Sequence, residues 1–306
     1  MRRLLPCLLL MLMLTSCASD NAVPKDQPPT GSAPALRVWI TETETLEEMD
    51  VETYIAGVVA GEMPSDWPME ALKAQAILAR TFVMKFVTEK ESRYPGADIS
   101  TDIAEAQAYD AAAVNGRILA AVQETRGEVL VTQDGLLPYA WFHAHSGGMT
   151  ALARESLDWR QAEPSHTRVT AGMDSSAAPD STKAWQAEFT TEEFLAACQS
   201  AGYPINSCEE VAIGETGPSR RAVTLLVDGV AINAARLRIS LGSTRMRSTL
   251  LTQLTTEGGM IRMAGLGYGH GVGMPQWGAY ALAEDGWPAE EIALHYYSGL
   301  RIIRLW

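Results

Sequence analysis

The residues best placed for chemistry lie between Val58 and Thr81, in the run VVAGEMPSDWPMEALKAQAILART. Glu62 stands where one helical pattern ends, two residues before Pro64. An alanine-rich helical pattern follows, carrying Lys73, Gln75 and Arg80. A carboxyl at such a junction, near cations and an amide, could act as a general acid. If burial beside Met63 and Trp67 raises its pKa, it could carry a proton to a glycosidic oxygen near neutral pH. The plainer role for a lone Glu at a helix end is to cap or solvate that end. Lys73 and Arg80 are seven residues apart and share one helix face, whereas Gln75 turns away. They suit the carbonyls and carboxylates of a sugar ligand, or else a solvated face paired with Glu70 and Glu89.

Two further blocks hold polar residues at close spacing. Phe142-His143-Ala144-His145-Ser146-Gly147-Gly148 puts two histidines on one face of a strand, just before a serine and two glycines. No nucleophile elbow of the GxSxG type surrounds Ser146, so an activated serine is not expected there. Two same-face histidines make an incomplete metal site, and no metal or cofactor is expected. The run from Gly265 to Gly273 has glycine at every second position and lacks the Lys-Ser/Thr ending of a phosphate-binding loop. It reads as a wall of a cleft, with His270 and Gln276 as contacts and Trp277 as either a stacking platform or a core residue.

Elements must hold these blocks. Residues 36–42 read as a first strand. Asp50 is a helix cap, and Gly61 with Pro64 ends the helix it starts. Ser65, Asp66 and Pro68 open a second helix reaching about Glu89, whose Leu72, Ala76, Ala79, Val83 and Phe86 form a buried stripe. A broken helical region is expected over residues 102–125. Asp134-Gly135 and Asp228-Gly229 are hairpin turn signals; the first implies that Tyr139–His143 returns alongside Val129–Val131. Short helices near residues 191–201, 236, 276–284 and 288–297, a strand at 261–264 and a closing strand at 301–305 complete the pattern. Hairpins and helices without regular strand–helix alternation indicate an α+β fold with a cleft. Residues 150–220 form either a smaller lobe or a long insertion.

The first residues read differently. Arg2 and Arg3 precede a short apolar run, Leu4–Leu14, of the kind that begins a secretory signal over residues 1–16. Leu14-Thr15-Ser16-Cys17 resembles a bacterial lipobox, in which Cys17 would carry lipid and tether the protein to a membrane. Residues 17–35 then serve as a flexible linker, and residues 36–306 as the folded domain, outside the cytoplasm. Cys198 and Cys208 are expected to pair as a disulfide in such a compartment, with a metal pair the weaker alternative. The chain carries a net charge of −13, which argues against nucleic acid as a partner.

Together the three blocks, with His295-Tyr296-Tyr297 after the last, resemble the stage II sporulation protein D family of peptidoglycan lytic transglycosylases. The resemblance implies that Glu62 is the catalytic acid and that a MurNAc–GlcNAc bond is cleaved to leave a 1,6-anhydro end. It implies a preference for glycan stripped of its stem peptides. It further implies substrate contacts from Lys73, Gln75, Arg80, Ser146, His270 and Gln276. Relatives described as amidase enhancers imply a second possibility, a wall-binding protein that assists a separate amidase without cleaving glycan. Some family members hold zinc through cysteines and a histidine near the SGG block; here that neighbourhood offers His143 and His145 but no cysteine.

Overall fold

The computed structural model describes residues 31–306. The expected signal, the lipid-bearing Cys17 and most of the linker lie outside the described residues.

Asp50 caps the first helix as expected: its side chain accepts from the N–H groups of Glu52 and Thr53, and helix α1 runs Val51–Glu62. Helix α2, Met69–Glu89, starts immediately after Pro68, with no side-chain cap from Ser65 or Asp66. The expected stripe from Leu72 to Phe86 is buried. So are Ala74, Gln75, Ile77, Leu78, Arg80 and Thr81, because α2 is a central helix. It is packed by α1, by helix α3 (Gly116–Glu124), and by the Gln276–Glu284 and Ala289–His295 helices. Asn115 caps α3 by accepting from Arg117 and Ile118. Residues 102–115, alanine-rich in sequence, are not helical; they form a loop laid over α1.

The strands form several small sheets, in keeping with an α+β fold. Ala35–Ile40 pairs with Thr45–Asp50 and with Ile99–Ser100. Asp228-Gly229 makes the expected tight hairpin between Thr224–Val227 and Val230–Asn233. The Asp134-Gly135 turn does not. Glu128–Thr132 pairs instead with the closing strand Leu300–Arg304, and Phe142–His143 runs parallel to Met274–Pro275. A turn signal specifies only local geometry, and here long-range partners take both flanking segments.

Two main hydrophobic cores result. One surrounds α2. The other lies under a three-stranded sheet made by Ala184–Thr190, Leu251–Glu257 and Met260–Leu266. Cys198 and Cys208 belong to this second core as separate buried thiols, so the expected disulfide is not formed. Burial, with the neighbouring Cys208, pushes the Cys198 thiol up to about 12. Burial, with Asp228, pushes Cys208 up to about 11. Thiols this hard to ionise pack as small apolar groups.

One buried ion pair fastens the first core. Arg80 is fully buried and its Nη2 lies 2.6 Å from Glu52 Oε2. Glu52 Oε1 also accepts from Gly127 N and from Trp306 Nε1, each at 2.9 Å. Arg80 Nη1 donates to the Glu128 carbonyl at 2.9 Å. The pair thus joins α1, α2, the start of the Glu128 strand and the C-terminal residue. Removing one member strands the other's charge in the interior, which costs about 3–5 kcal/mol. Glu52→Gln is therefore expected to lower the urea midpoint by a loss of that size. An unchanged midpoint would show that the pair does not hold these elements together.

Candidate active site

Glu62 is the last residue of α1, and two neighbours aim its side chain. The first is the loop over α1. Gly57 and Gly61 lie one turn apart and leave the helix surface bare. A Cβ on Gly61 would sit 2.7 Å from Tyr109 N, so only glycine allows the loop this close. Asp110 N–H donates to the Gly57 carbonyl at 2.9 Å, and Ala108 N–H donates to Glu62 Oε1 at 2.8 Å. The second neighbour is Gln276, first residue of its helix. Its amide donates to Glu62 Oε2 and to the Glu62 carbonyl, both at 3.3 Å.

No cation within the described residues pairs with Glu62. Burial raises its pKa above the ordinary carboxyl value, opposed more weakly by the Ala108 N–H and the Gln276 amide. The side chain is half-buried and opens into a cleft of about 470 Å3, whose walls include Trp141, His143, Tyr268, His270 and Gln276. An acid held by neutral donors at the wall of an open cleft can deliver a proton to a bound ether oxygen.

The glycine-rich loop builds the opposite wall because it lies flat on the strand before Ser146. Tyr268 and His145 exchange backbone hydrogen bonds at 3.0 and 2.9 Å. A Cβ on Gly269 would come within 2.6 Å of His143 Cβ, and one on Gly273 within 2.0 Å of the Trp141 carbonyl oxygen. The spacing of glycines is thus a packing requirement. His143 and His270 meet across this contact with ring centres 5.6 Å apart. Burial, aided by nearby Arg238 and Arg221, lowers the pKa of His270 to about 3. Burial likewise holds His143 well below its ordinary value. Both are neutral at physiological pH. His143 Nδ1 faces the Val272 carbonyl at 3.2 Å and so carries the proton. Its Nε2 is then a bare acceptor, buried and without a protein partner.

Ser146 is buried and belongs to a different device. Its hydroxyl donates to Asp174 and accepts from Gly148 N–H at 2.9 Å, and its own N–H donates to Asp174 Oδ1 at 3.0 Å. His145 Nδ1 accepts from Gly147 N–H at 3.0 Å; that nitrogen is unprotonated and makes no ion pair with Asp174 despite their 3.6 Å separation. No histidine is bonded to the Ser146 hydroxyl, which rules out an activated serine in this arrangement. Ser146 shapes the loop beside the cleft and is not among its lining residues.

Three other residues read from the sequence as ligand contacts also lie elsewhere. Lys73 pairs with Glu70 at 2.7 Å and Glu124 at 2.5 Å. Arg80 is the partner of Glu52. Gln75 is fully buried in the first core with both amide atoms unpartnered. The face of α2 that carries Lys73 and Arg80 meets acids of α1, α3 and α2 itself, not the cleft. Trp277 packs on Trp67 with ring centres 4.5 Å apart, as a core residue. The structure therefore gathers Glu62, His270 and Gln276 and leaves Lys73, Gln75, Arg80 and Ser146 outside. It adds the Ala108 N–H, His143, Trp141 and, beneath the SGG turn, Asp174. Trp141 stacks on Tyr139 with centres 5.0 Å apart and planes 11° apart, and Trp159 meets it edge-on at 5.4 Å. The aromatic run Tyr139–Phe142 is the only sequence signal for this platform; nothing local marks Asp174 or Ala108. Among the described residues no group of three or more His, Cys, Asp or Glu side chains could hold a metal ion.

A mixed helix-and-strand domain with one carboxyl at the wall of an aromatic-edged cleft is the class that this geometry defines. Residues 40–131 match the family described as Stage II sporulation protein. The chain is 30% identical over 294 residues to stage II sporulation protein D of Bacillus amyloliquefaciens, covering 89% of this chain and 81% of that one. It is 32% identical over 262 residues to an uncharacterized protein of Brachyspira hyodysenteriae, covering 84% and 68%. It is 26% identical over 297 residues to the amidase enhancer of Bacillus subtilis, covering 80% of this chain and 39% of that one. The chain belongs to the stage II sporulation protein D family.

The raised pKa of Glu62 has a consequence for stability. Its folded pKa exceeds its unfolded one, so the folded state holds the proton more tightly. That contribution is complete below the unfolded pKa and is lost as pH rises through the folded value. Above that value the parent protein keeps an unpaired carboxylate half out of water, and Glu62→Gln does not. With the Gln276 amide turned over to accept, Glu62→Gln is expected to melt at or above the parent temperature at neutral pH. Its melting temperature should also vary less between about pH 4 and about pH 8. Thermal melts of both proteins across that range measure this; a variant that melts well below the parent at neutral pH would contradict it.

Proposed function

We propose that this chain is a peptidoglycan lytic transglycosylase that uses Glu62 as its single acid and base. The observation that carries the reading is the Glu62 carboxyl itself: raised in pKa, unpaired by any cation, and open to the cleft. Family membership supports a cell-wall role, and on this reading the substrate is a polymer of alternating N-acetylglucosamine and N-acetylmuramic acid.

The protonated carboxyl donates to the oxygen of the MurNAc–GlcNAc link as that C–O bond breaks. Positive charge then develops on the muramic acid C1 and ring oxygen. The resulting carboxylate takes the proton from the C6 hydroxyl of the same sugar. That oxygen bonds to C1 and closes the 1,6-anhydro ring, and Glu62 is again protonated. No water and no second carboxyl enter the reaction. This suits a cleft in which the acid is aimed by Ala108 and Gln276. The Trp141 platform is suited to support a sugar face. Such glycan lies outside the cytoplasm, where the N-terminal reading of a lipid-bearing Cys17 would hold the domain near a membrane. None of the helices among the described residues is long and apolar enough to cross one.

A second reading is favoured by one relative, the protein named amidase enhancer. On that reading the same cleft binds glycan strands and presents them to a cell-wall amidase without cleaving them. The two differ in what purified protein does alone. Wild-type protein incubated with peptide-free glycan is expected to release anhydro-ended fragments, identified by mass spectrometry. Glu62→Gln should lower that rate by at least about a hundredfold, the scale of a lost general acid. Binding of glycan with no anhydro product from the wild type would overturn the enzymatic reading in favour of the enhancer.

A further inference from the structure

The described residues enclose a second cavity, of about 570 Å3. It lies between the Ala234–Ser240 helix and the end of the Thr191–Ser200 helix, and His270 lines both cavities. Two arginines face it and their circumstances differ. Arg236 is satisfied: its Nε donates to Asp158 Oδ2 at 3.0 Å, and its Nη1 to the Ala201 carbonyl at 3.2 Å. Arg238 is only 9% exposed. Its Nε donates to the Arg247 carbonyl at 3.0 Å. Its other guanidinium nitrogens have no hydrogen-bond partner, and no carboxylate pairs with it, among the described residues. Burial lowers its pKa to about 10, which leaves it charged at neutral pH.

An arginine side chain this largely covered, with no anion beside it, keeps unpaired donors open to the cavity. It is also the donor fork that best fits a carboxylate. The protein's net charge of −13 makes a bare cation beside the cleft more conspicuous still. On the proposed reading, a glycan seated at Glu62 carries one such anion on a short arm: the lactyl ether of muramic acid. When a stem peptide is attached, that carboxyl is an amide, without charge and continued by bulk. Resting on the glycan reading above, we propose that Arg238 is the residue that selects glycan with a free lactyl carboxylate over glycan bearing stem peptides. His270, neutral and shared by both cavities, forms the wall past which the lactyl arm reaches.

Calorimetric titration of the Glu62→Gln protein, in which turnover is expected to be at least about a hundredfold slower, tests this with three probes. They are a GlcNAc–MurNAc tetrasaccharide with free lactyl acids, the same tetrasaccharide with those acids converted to methylamides, and a GlcNAc oligomer of equal length. The free acid is expected to bind at least about tenfold more tightly than the amide, as for a hydrogen bond to a charged group. Added salt should shrink that ratio. Arg238→Gln should bring the ratio of acid to amide close to one, and Arg238→Lys, which keeps the charge, should retain part of it. Equal binding of acid and amide before any change at Arg238 would overturn this inference and leave the glycan reading standing; that comparison needs no Arg238 variant to fold. A ratio that survives in Arg238→Gln would also overturn it. Failure of all three probes to bind would sink both.

Discussion

The proposed chemistry rests on a carboxyl that is held by neutral donors. An arginine or lysine beside Glu62 would orient it more tightly and lower its pKa, and the proton needed for acid catalysis would be lost. The fold instead uses a main-chain N–H from Ala108 and the amide of Gln276, which position the group while shifting its acidity less than burial does. Every other feature of the first core can be read as serving that arrangement. The nearest basic residues in sequence are neutralised elsewhere: Lys73 by Glu70 and Glu124, Arg80 by Glu52. The two imidazoles in the cleft are kept uncharged by burial.

Two backbone approaches make the arrangement possible, and both depend on missing side chains. The loop that supplies Ala108 can reach Glu62 only because Gly57 and Gly61 leave α1 bare on that side. The wall that supplies His270 can reach His143 only because glycines alternate from Gly265 to Gly273, so that loop and strand lie in contact. In each case the partner group comes from a segment distant in sequence. The glycines are what bring the two main chains to hydrogen-bonding distance. Gln276 arrives by the same route, because the short parallel pairing of Met274–Pro275 with Phe142–His143 fixes the start of its helix.

Local signals in the sequence were legible and distant ones were not. The Asp50 cap, the end of α1 before Pro64, the end of α2 at Glu89 and the Asp228-Gly229 hairpin are all decided within a few residues, and they read correctly. The return of Tyr139–His143 against Val129–Val131 did not, because a turn cannot report that Leu300–Arg304 competes for the same strand edge. The alanine-rich stretch 102–115 has helical propensity yet is irregular, since docking on the glycine face of α1 outweighs it. Glu62, Gln276 and His270 were readable as members of motifs. For Lys73 and Arg80 the sequence left a ligand-binding face and an ion-paired face both open, because spacing on a helix says which residues share a face and not what that face meets; the positions of Glu52, Glu70 and Glu124 decide for the ion pairs. The Ala108 N–H, Asp174 and Arg238 carry no local mark at all. Their roles exist only once the chain has folded.

On the proposed reading, the distribution of positive charge around the cleft answers one requirement. A saccharide acid needs a site free of cations at the bond to be broken, while a ligand that itself bears a carboxylate needs a cation somewhere along its length. These demands conflict if both are met at one place. Here they are separated by a neutral histidine. Glu62 responds to burial, Ala108 and Gln276, whereas Arg238 acts on His270, whose pKa it helps to lower. On the proposed reading, His270 by remaining uncharged offers the incoming sugar a polar wall that adds no charge of its own beside Glu62.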